Sequence, residues 1–333
     1  MIITVSGKFI KQTFIDLNPI LSKSDMAKSI AFTVQDNRLY ITSSAIFPMY
    51  QSFVEIKDSV DYVSMSATVL YSRIEDFISS REDVHLEFTK VSVNLYTEDF
   101  EKPFVLSDSV ITLIDIEETR GVEFDFPSLA HSIEKLASTS ILQKTLQVDK
   151  PFLFFGSYAL LKFSTVWIKI RSAGVYSSIS KEHAKCISNF EPKTILDGDI
   201  IHFYKDNATL LVPKNAIEDD KTFEELVNSL TVITQFNVDG IFGILQKITR
   251  AAGFGECRCY VYQNGIELQK ITQSSSLTKK INCEGEQLAA FTLPIEYILM
   301  SFNLLKDGQA EILVGDGKVC LRNNQVSILL SAV

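Results

Sequence analysis

The sequence predicts an α+β fold of three domains, each built from a duplicated unit of strand, helix and hairpin. Three observations carry this. Paired strand-like runs joined by a tight turn recur six times, at residues 31–44, 84–99, 152–165, 199–214, 257–272 and 310–323. A short amphipathic helical stretch precedes each pair, with starts near positions 9, 68, 127, 181, 238 and 294, a period of roughly 55 residues. The chain is 333 residues long with 46% hydrophobic and 22% charged residues, which is ordinary folded-protein composition and enough for two or three cores.

Each element has a local reason. The hairpin turns read Asp36-Asn37, Thr89-Lys90, Gly156-Ser157, Asp206-Asn207, Asn264-Gly265 and Asp316-Gly317. The Asp, Asn and Gly residues among them accept the positive φ that tight hairpins need. Phe32, Val34, Leu39 and Ile41 alternate with more polar neighbours, the period of a half-buried strand. The first helix follows Ser6-Gly7 and runs over residues 8–17. The second follows Ser64–Ser66 and covers about 68–79. The third carries Pro127 in its first turn, the fourth follows Ser178–Ser180, the fifth follows Asn237, and the sixth begins at Pro294. A short strand-like run leads into every helix, at 2–5, 62–65, 122–126, 175–177, 232–236 and 289–293.

A unit of about 55 residues makes only a thin layer of helix on sheet, and two units make one ordinary domain. The expected domains are therefore 1–115, 116–230 and 231–333. Their boundaries fall in the acidic connector 114–121 and in the segment 218–231.

Composition narrows the function. No apolar run is long enough to span a membrane. The opening Met1-Ile2-Ile3-Thr4-Val5 lacks the basic start of a signal peptide, so export is not expected. The five cysteines, at 186, 257, 259, 283 and 320, are odd in number and scattered, which argues for reduced thiols and a cytoplasmic setting. Net charge is −9, so any contact with nucleic acid is confined to one basic surface on an acidic body.

No catalytic residue or metal site is expected. Cys257-Arg258-Cys259 puts two sulfurs on one face of a strand, without the spacing or second pair of a metal site, and reads as core. Gly253-Phe254-Gly255 and the glycines at 315–317 do not open a phosphate-binding helix. His85, His131, His183 and His202 lie in four different units. Six similar units leave little chain for an elaborated active-site loop.

At this level the chain resembles a DNA sliding clamp of the bacterial type, the beta-subunit processivity factor of DNA polymerase III. Leu293-Pro294-Ile295-Glu296-Tyr297-Ile298-Leu299, then Leu304-Leu305-Lys306, the strands at 311–314 and 319–322, and the apolar run 326–330 are similar to the end of a clamp third domain. Phe223-Glu224-Glu225-Leu226 before Leu230 resembles the connector between the second and third domains. The family has a Thr-Asp-Gly-His-Arg type run where this chain has Thr165-Val166-Trp167-Ile168-Lys169, and a Met-Pro tail where this chain has Leu329-Leu330-Ser331-Ala332-Val333. A divergent member, of the kind a phage or mobile element encodes, reads this way.

The resemblance implies a homodimeric ring with helices inside and sheets outside. It would encircle duplex DNA of any sequence and tether a polymerase, with an ATP-dependent clamp loader as a further partner and no cofactor. DNA-facing cations would be Lys8 and Lys11, Lys181 and Lys185, and Lys247 and Arg250, each pair at same-face helical spacing. Arg73, Lys135 and Lys306 stand on the other three helices, and Lys23 follows the first. The competing reading is an ordinary solvated helix face, since Asp16, Glu75, Asp76, Glu134, Glu182 and Glu296 share these helices. A partner-peptide pocket would be formed by Thr165, Val166, Trp167, Phe223, Leu230, Ile328, Leu329 and Leu330; for Trp167 itself a place in the core is the favoured reading over a pocket wall. The alternative in another functional class is a non-catalytic protein-binding scaffold that reuses the fold without encircling DNA.

Overall fold

The computed structural model describes residues 1–21, 28–43, 47–57, 62–69, 83–97, 101–105, 113–114, 121–139, 146, 150–217, 221–239, 241–253, 255–271, 276–281, 283–306 and 308–332. Within them the order begins with β1 (Ile2–Val5), α1 (Gly7–Leu21), β2 (Lys28–Gln35), β3 (Arg38–Ser43) and β4 (Met49–Glu55). Then come β5 (Val63–Val69), β6 (Val84–Phe88), β7 (Ser92–Tyr96) and β8 (Glu101–Val105). The middle holds β9 (Val122–Glu123), α2 (Phe126–Ala137), β10 (Phe152–Phe155), β11 (Tyr158–Lys162), β12 (Val166–Arg171), β13 (Tyr176–Ile179), α3 (Lys181–Phe190), β14 (Thr194–Asp197), β15 (Ile200–Lys205) and β16 (Ala208–Pro213). After α4 (Lys221–Asn228) follow β17 (Thr231–Asn237), α5 (Ile241–Ala252), β18 (Glu256–Tyr262), β19 (Gly265–Ile271) and β20 (Ser276–Ile281). The order closes with β21 (Gln287–Pro294), α6 (Ile295–Leu305), β22 (Gln309–Gly315), β23 (Lys318–Arg322) and β24 (Val326–Ser331).

The repeat is therefore a leading strand, a helix and a three-stranded meander. The turns form where the sequence places them: Asp36 and Asn37 both have positive φ, as do Asp206, Gly156, Asp316 and Gly317. One turn is shifted. Tyr262 pairs with Gly265, so Gln263-Asn264 makes the turn and Gly265 already belongs to β19. The second helix differs more: Thr68 and Val69 are the end of β5 rather than a helix start, and residues 70–82 lie outside the described ones.

The helices form on apolar periodicity. In α1 the buried Ile10, Phe14 and Leu17 recur at i, i+4 and i+7, and in α2 Leu129, Ile133 and Leu136 do the same. The helix α6 is buried nearly all round, from Ile295 to Leu305.

Sheet topology shows why one repeat cannot stand alone. The meander β6-β7-β8 is completed by β1, and the meander β2-β3-β4 by β5. Likewise β13 joins β10 while β9 joins β14, and β17 joins β22 while β21 joins β18. Each leading strand pairs with the meander of the neighbouring repeat. Two of the resulting four-stranded sheets are fused to two others through their third meander strands, β4 to β16 and β12 to β24, giving two eight-stranded sheets.

The chain divides into two compact units, Met1–Phe126 with Lys181–Asn215, and Pro127–Ser180 with Ala216–Val333. Each unit contains one eight-stranded sheet. In the first unit the sheet junction is polar. Tyr50 and Ser52 of β4 meet α1, with Ser52 bonded to Thr13 (3.0 Å) and the Tyr50 hydroxyl directed at Asp16 (3.4 Å). Asp16 is buried, also accepts from Gln12 (2.8 Å), and has Lys205 at 3.8 Å. Burial raises its carboxyl pKa to about 6 despite the Lys205 cation. On the other face, Gln51 donates to the Ile114 carbonyl and accepts from the Ile114 N–H, both at 2.8 Å, so its amide holds residue 114 as a strand would.

Candidate functional site

Two sets of expected site residues can be placed: the helix cations and the residues around Trp167. In the first unit α1 packs against α3. Lys8 and Lys185 are exposed, and Lys11 and Lys181 are half-buried. In the second unit α5 packs against α6; Lys247 and Arg250 are exposed on α5, and Lys306 is exposed at the C-terminal end of α6. Lys306 adopts positive φ there, and its N–H bonds the Phe302 carbonyl. Lys23 and Arg73 lie outside the described residues.

Lys135 is a correction. Its side chain is buried, and its ammonium donates to the Leu304 carbonyl at 2.6 Å. A cation satisfying the last turn of α6 stabilises that helix end, so this lysine is engaged in holding the fold. It also lines a cavity of about 840 Å³, with His131, Lys306, Gln309, Arg322 and Asn324 among the other lining residues. Among its described lining residues the carboxylate is Glu311, held below its ordinary range by the Arg322 guanidinium (2.6 Å).

Strand alternation sorts the expected pocket residues into two groups. On one face of the β12–β24 junction, Trp167 lies opposite Leu329. Phe223 stacks on the indole (6.1 Å, 22°), and Phe223, Val227 and Leu230 of the α4 segment pack onto Leu160, Leu313, Cys320 and Leu329. Phe223, Val227 and Leu230 recur at i, i+4 and i+7, so this short amphipathic helix roofs the sheet. On the opposite face Val166 pairs with Leu330 and Ile168 with Ile328; all are buried and belong to the helix-facing core. Thr165 bonds the Tyr297 hydroxyl of α6 at 3.1 Å. So the structure gathers Trp167, Phe223, Leu230 and Leu329, and directs Thr165, Val166, Ile328 and Leu330 elsewhere.

Sequence reasoning missed the cations interleaved with these aromatics. Lys162 lies 3.9 Å above the Trp167 ring, and Lys169 lies 4.2 Å above Tyr158 while pairing with Glu224 of α4. Tyr158 in turn stacks on Phe155 (4.8 Å). Period-two alternation from Trp167 would have found Lys169 on the same face.

Cys257 and Cys259 are both buried on one face of β18, and burial pushes the Cys259 thiol well up. Among the described residues no three His, Cys, Asp or Glu side chains cluster as metal ligands, and no helix is long and apolar enough to cross a membrane. His85 bonds Thr4 (2.8 Å) as a direct cross-strand neighbour, and His202 lies beside Tyr204 on one strand.

No family model matches the sequence, and no curated protein matches it. Solved structures do match. A Helicobacter pylori beta clamp in complex with diflunisal has a TM-score of 0.78 at 13% identity, with all of both chains covered. Another, bound to a DNA ligase peptide, has 0.74 at 14%, again covering all of both. Caulobacter crescentus pol III beta has 0.78 at 11% over the same full extents. The chain has the fold of these clamps from end to end.

Proposed function

We propose that two copies of this chain close head to tail into a ring around duplex DNA, and that the ring tethers a DNA polymerase without chemistry of its own. The observation that carries this is the likeness to beta clamps over the full length of both chains.

The strand order supports closure. Both internal junctions join third meander strands, β4 to β16 and β12 to β24, antiparallel. Two third strands remain at sheet edges, β8 and β20. Repeating the same joint between copies would set β8 of one against β20 of its partner, and doing so twice closes a two-fold ring. With domains 1–115, 116–230 and 231–333, the ring would hold six.

Lys8, Lys11, Lys181, Lys185, Lys247, Arg250 and Lys306 would meet phosphates, joined by Lys23 and Arg73; such contacts hold duplex without reading sequence. Tethering raises the polymerase's effective concentration at its template. Duplex DNA, a polymerase, an ATP-dependent loader and a second copy are the expected partners, in the cytoplasm.

Light scattering on a sizing column should give a dimer. With a clamp loader and ATP, the protein should stay with a singly nicked DNA circle through gel filtration and be lost once the circle is cut. A strict monomer at micromolar concentrations, or retention that survives linearisation, would sink the reading. In the K8Q/K185Q/K247Q/R250Q variant the dimer should persist. The salt dependence of its residual DNA affinity should flatten, by about 0.9 in log–log slope for each phosphate no longer neutralised.

A further inference from the structure

The cavity of about 840 Å³ lies wholly within the second unit, and its lining is polar. Among the described lining residues only Leu305 and Ala310 are apolar. Two polar side chains fix its wall. The Lys135 ammonium donates to the Leu304 carbonyl (2.6 Å), and the Asn323 amide donates to the next carbonyl, that of Leu305 (3.4 Å). Asn323 also accepts from the N–H groups of Gln325 (2.9 Å) and Val326 (2.8 Å), which sets the β23–β24 turn. Two carbonyls at the negative end of α6 are thereby occupied, which lowers that end's repulsion for an anion.

Other donors are left over. The side chains of His131, Lys306, Gln309, Asn324 and Gln325 make no hydrogen bond or ion pair with the described residues. The carboxylate of Glu311 is taken up by Arg322 Nε (2.6 Å) and by the Gln235 amide. Arg322 keeps the donors of its two terminal nitrogens. Among the described lining residues Lys135, Lys306 and Arg322 outnumber Glu311 three to one, in a chain whose net charge is −9.

We propose that this cavity binds a nucleoside phosphate, with the phosphoryl group on Lys306, His131 and Arg322 and the sugar and base on the amides of Gln309, Asn324 and Gln325. The excess of cations selects an anion and supplies charge-assisted hydrogen bonds to its oxygens. The amides select the rest of the ligand. Each offers a donor beside an acceptor, as the edge of a base or a pair of sugar hydroxyls does. The volume falls in the range of small-molecule sites, about 300–1,000 Å³. A duplex backbone is a convex surface that would bring phosphates to the cations and nothing to the amides.

The site lies within one unit of one chain and does not rest on ring closure. Isothermal titration of the full chain with ADP, adenosine, inorganic phosphate and a short DNA duplex tests it. ADP should bind, and adenosine and phosphate should each bind at least about tenfold more weakly, since each lacks one half of the contacts. H131Q/K306Q should weaken ADP by about tenfold or more. N324A/Q325A should weaken ADP and leave phosphate unchanged. All four side chains are exposed, so both variants should keep the parent's urea midpoint. Absence of ADP binding at millimolar concentration, equal binding of ADP and adenosine, or an ADP affinity unmoved by either double substitution would overturn the proposal. So would a duplex whose binding falls in H131Q/K306Q while ADP does not bind, which would give the cavity to DNA. ADP binding with the expected losses supports it whether or not the protein is retained on DNA circles.

Discussion

The two eight-stranded sheets are built on one plan and finished with opposite chemistry. At the β4–β16 junction Gln51 lies opposite Thr209, beside Thr42, and the connecting chain at Ile114 is held by side-chain amide hydrogen bonds. At the β12–β24 junction Trp167 lies opposite Leu329, and the connecting chain is a helix held by apolar packing. The backbone joint is the same in both. At the polar roof the Gln51 amide is bonded to Thr42 and to both backbone groups of Ile114. The apolar roof leaves an indole at its margin with lysines beside it. The fold thus supplies two equivalent positions, and side chains decide the chemistry of each.

The largest break in that comparison should come from Phe223→Ala. Truncating a buried aromatic under α4 should cost about 3–5 kcal/mol in urea unfolding. Because Trp167 belongs to the second unit, its emission should then report an earlier transition than far-ultraviolet circular dichroism does. Gln51→Leu tests the other roof. It leaves the Ile114 N–H and carbonyl without the amide that pairs them, and should cost about 1–3 kcal/mol even though it adds apolar surface.

Asp16→Asn should act in the opposite direction and depend on pH. Burial raises the folded carboxyl above its unfolded value, so the fold binds this proton more tightly than the unfolded chain does. The contribution of protonated Asp16 is fully present below about pH 4 and is lost as pH rises through about 6. The variant should match the parent at pH 4 and be more stable by about 1–2 kcal/mol at pH 7.5, less whatever the loss of Lys205's partner costs. Thermal melts across that range check it; a variant less stable than the parent at pH 7.5 would show that the Lys205 pair outweighs burial. Lys169→Met should have the smallest effect. Its pairing with the half-exposed Glu224 is worth under about 1 kcal/mol, seen as a small shift in the urea midpoint.

Much of the fold was legible because its punctuation is local. Asp36-Asn37 and Asp316-Gly317 announce turns by the backbone angles they tolerate, and Leu129, Ile133 and Leu136 announce a helix by period. At Asn264-Gly265 the turn was expected one residue late, since strand pairing, not the glycine, set the register. The exchange of leading strands was not legible, because nothing in Ile2–Val5 says that its partner is Val84–Phe88. Of the pocket residues, Trp167, Phe223, Leu230 and Leu329 do come together. Their neighbours Val166, Ile328 and Leu330 are contiguous with them in sequence but not in space, because a strand sends alternate side chains to opposite faces. The role of Lys135 was not legible either, because helical spacing does not show which polar side chain a neighbouring helix end will claim.

The exchanged leading strands also bear on how the chain is made. A strand such as β1 leaves the ribosome with its hydrogen-bonding edge bare, and its partner arrives only much later; Thr4 and His85 are 81 positions apart. Between β17 and β22 the wait is similar, 76 positions from Gln235 to Glu311. Each odd repeat lacks the fourth strand of its sheet until the even repeat that follows it is synthesised. Nascent chains stalled after an odd repeat should therefore be sticky, slow to commit and dependent on holdase chaperones, whereas those stalled after an even repeat should already resist protease.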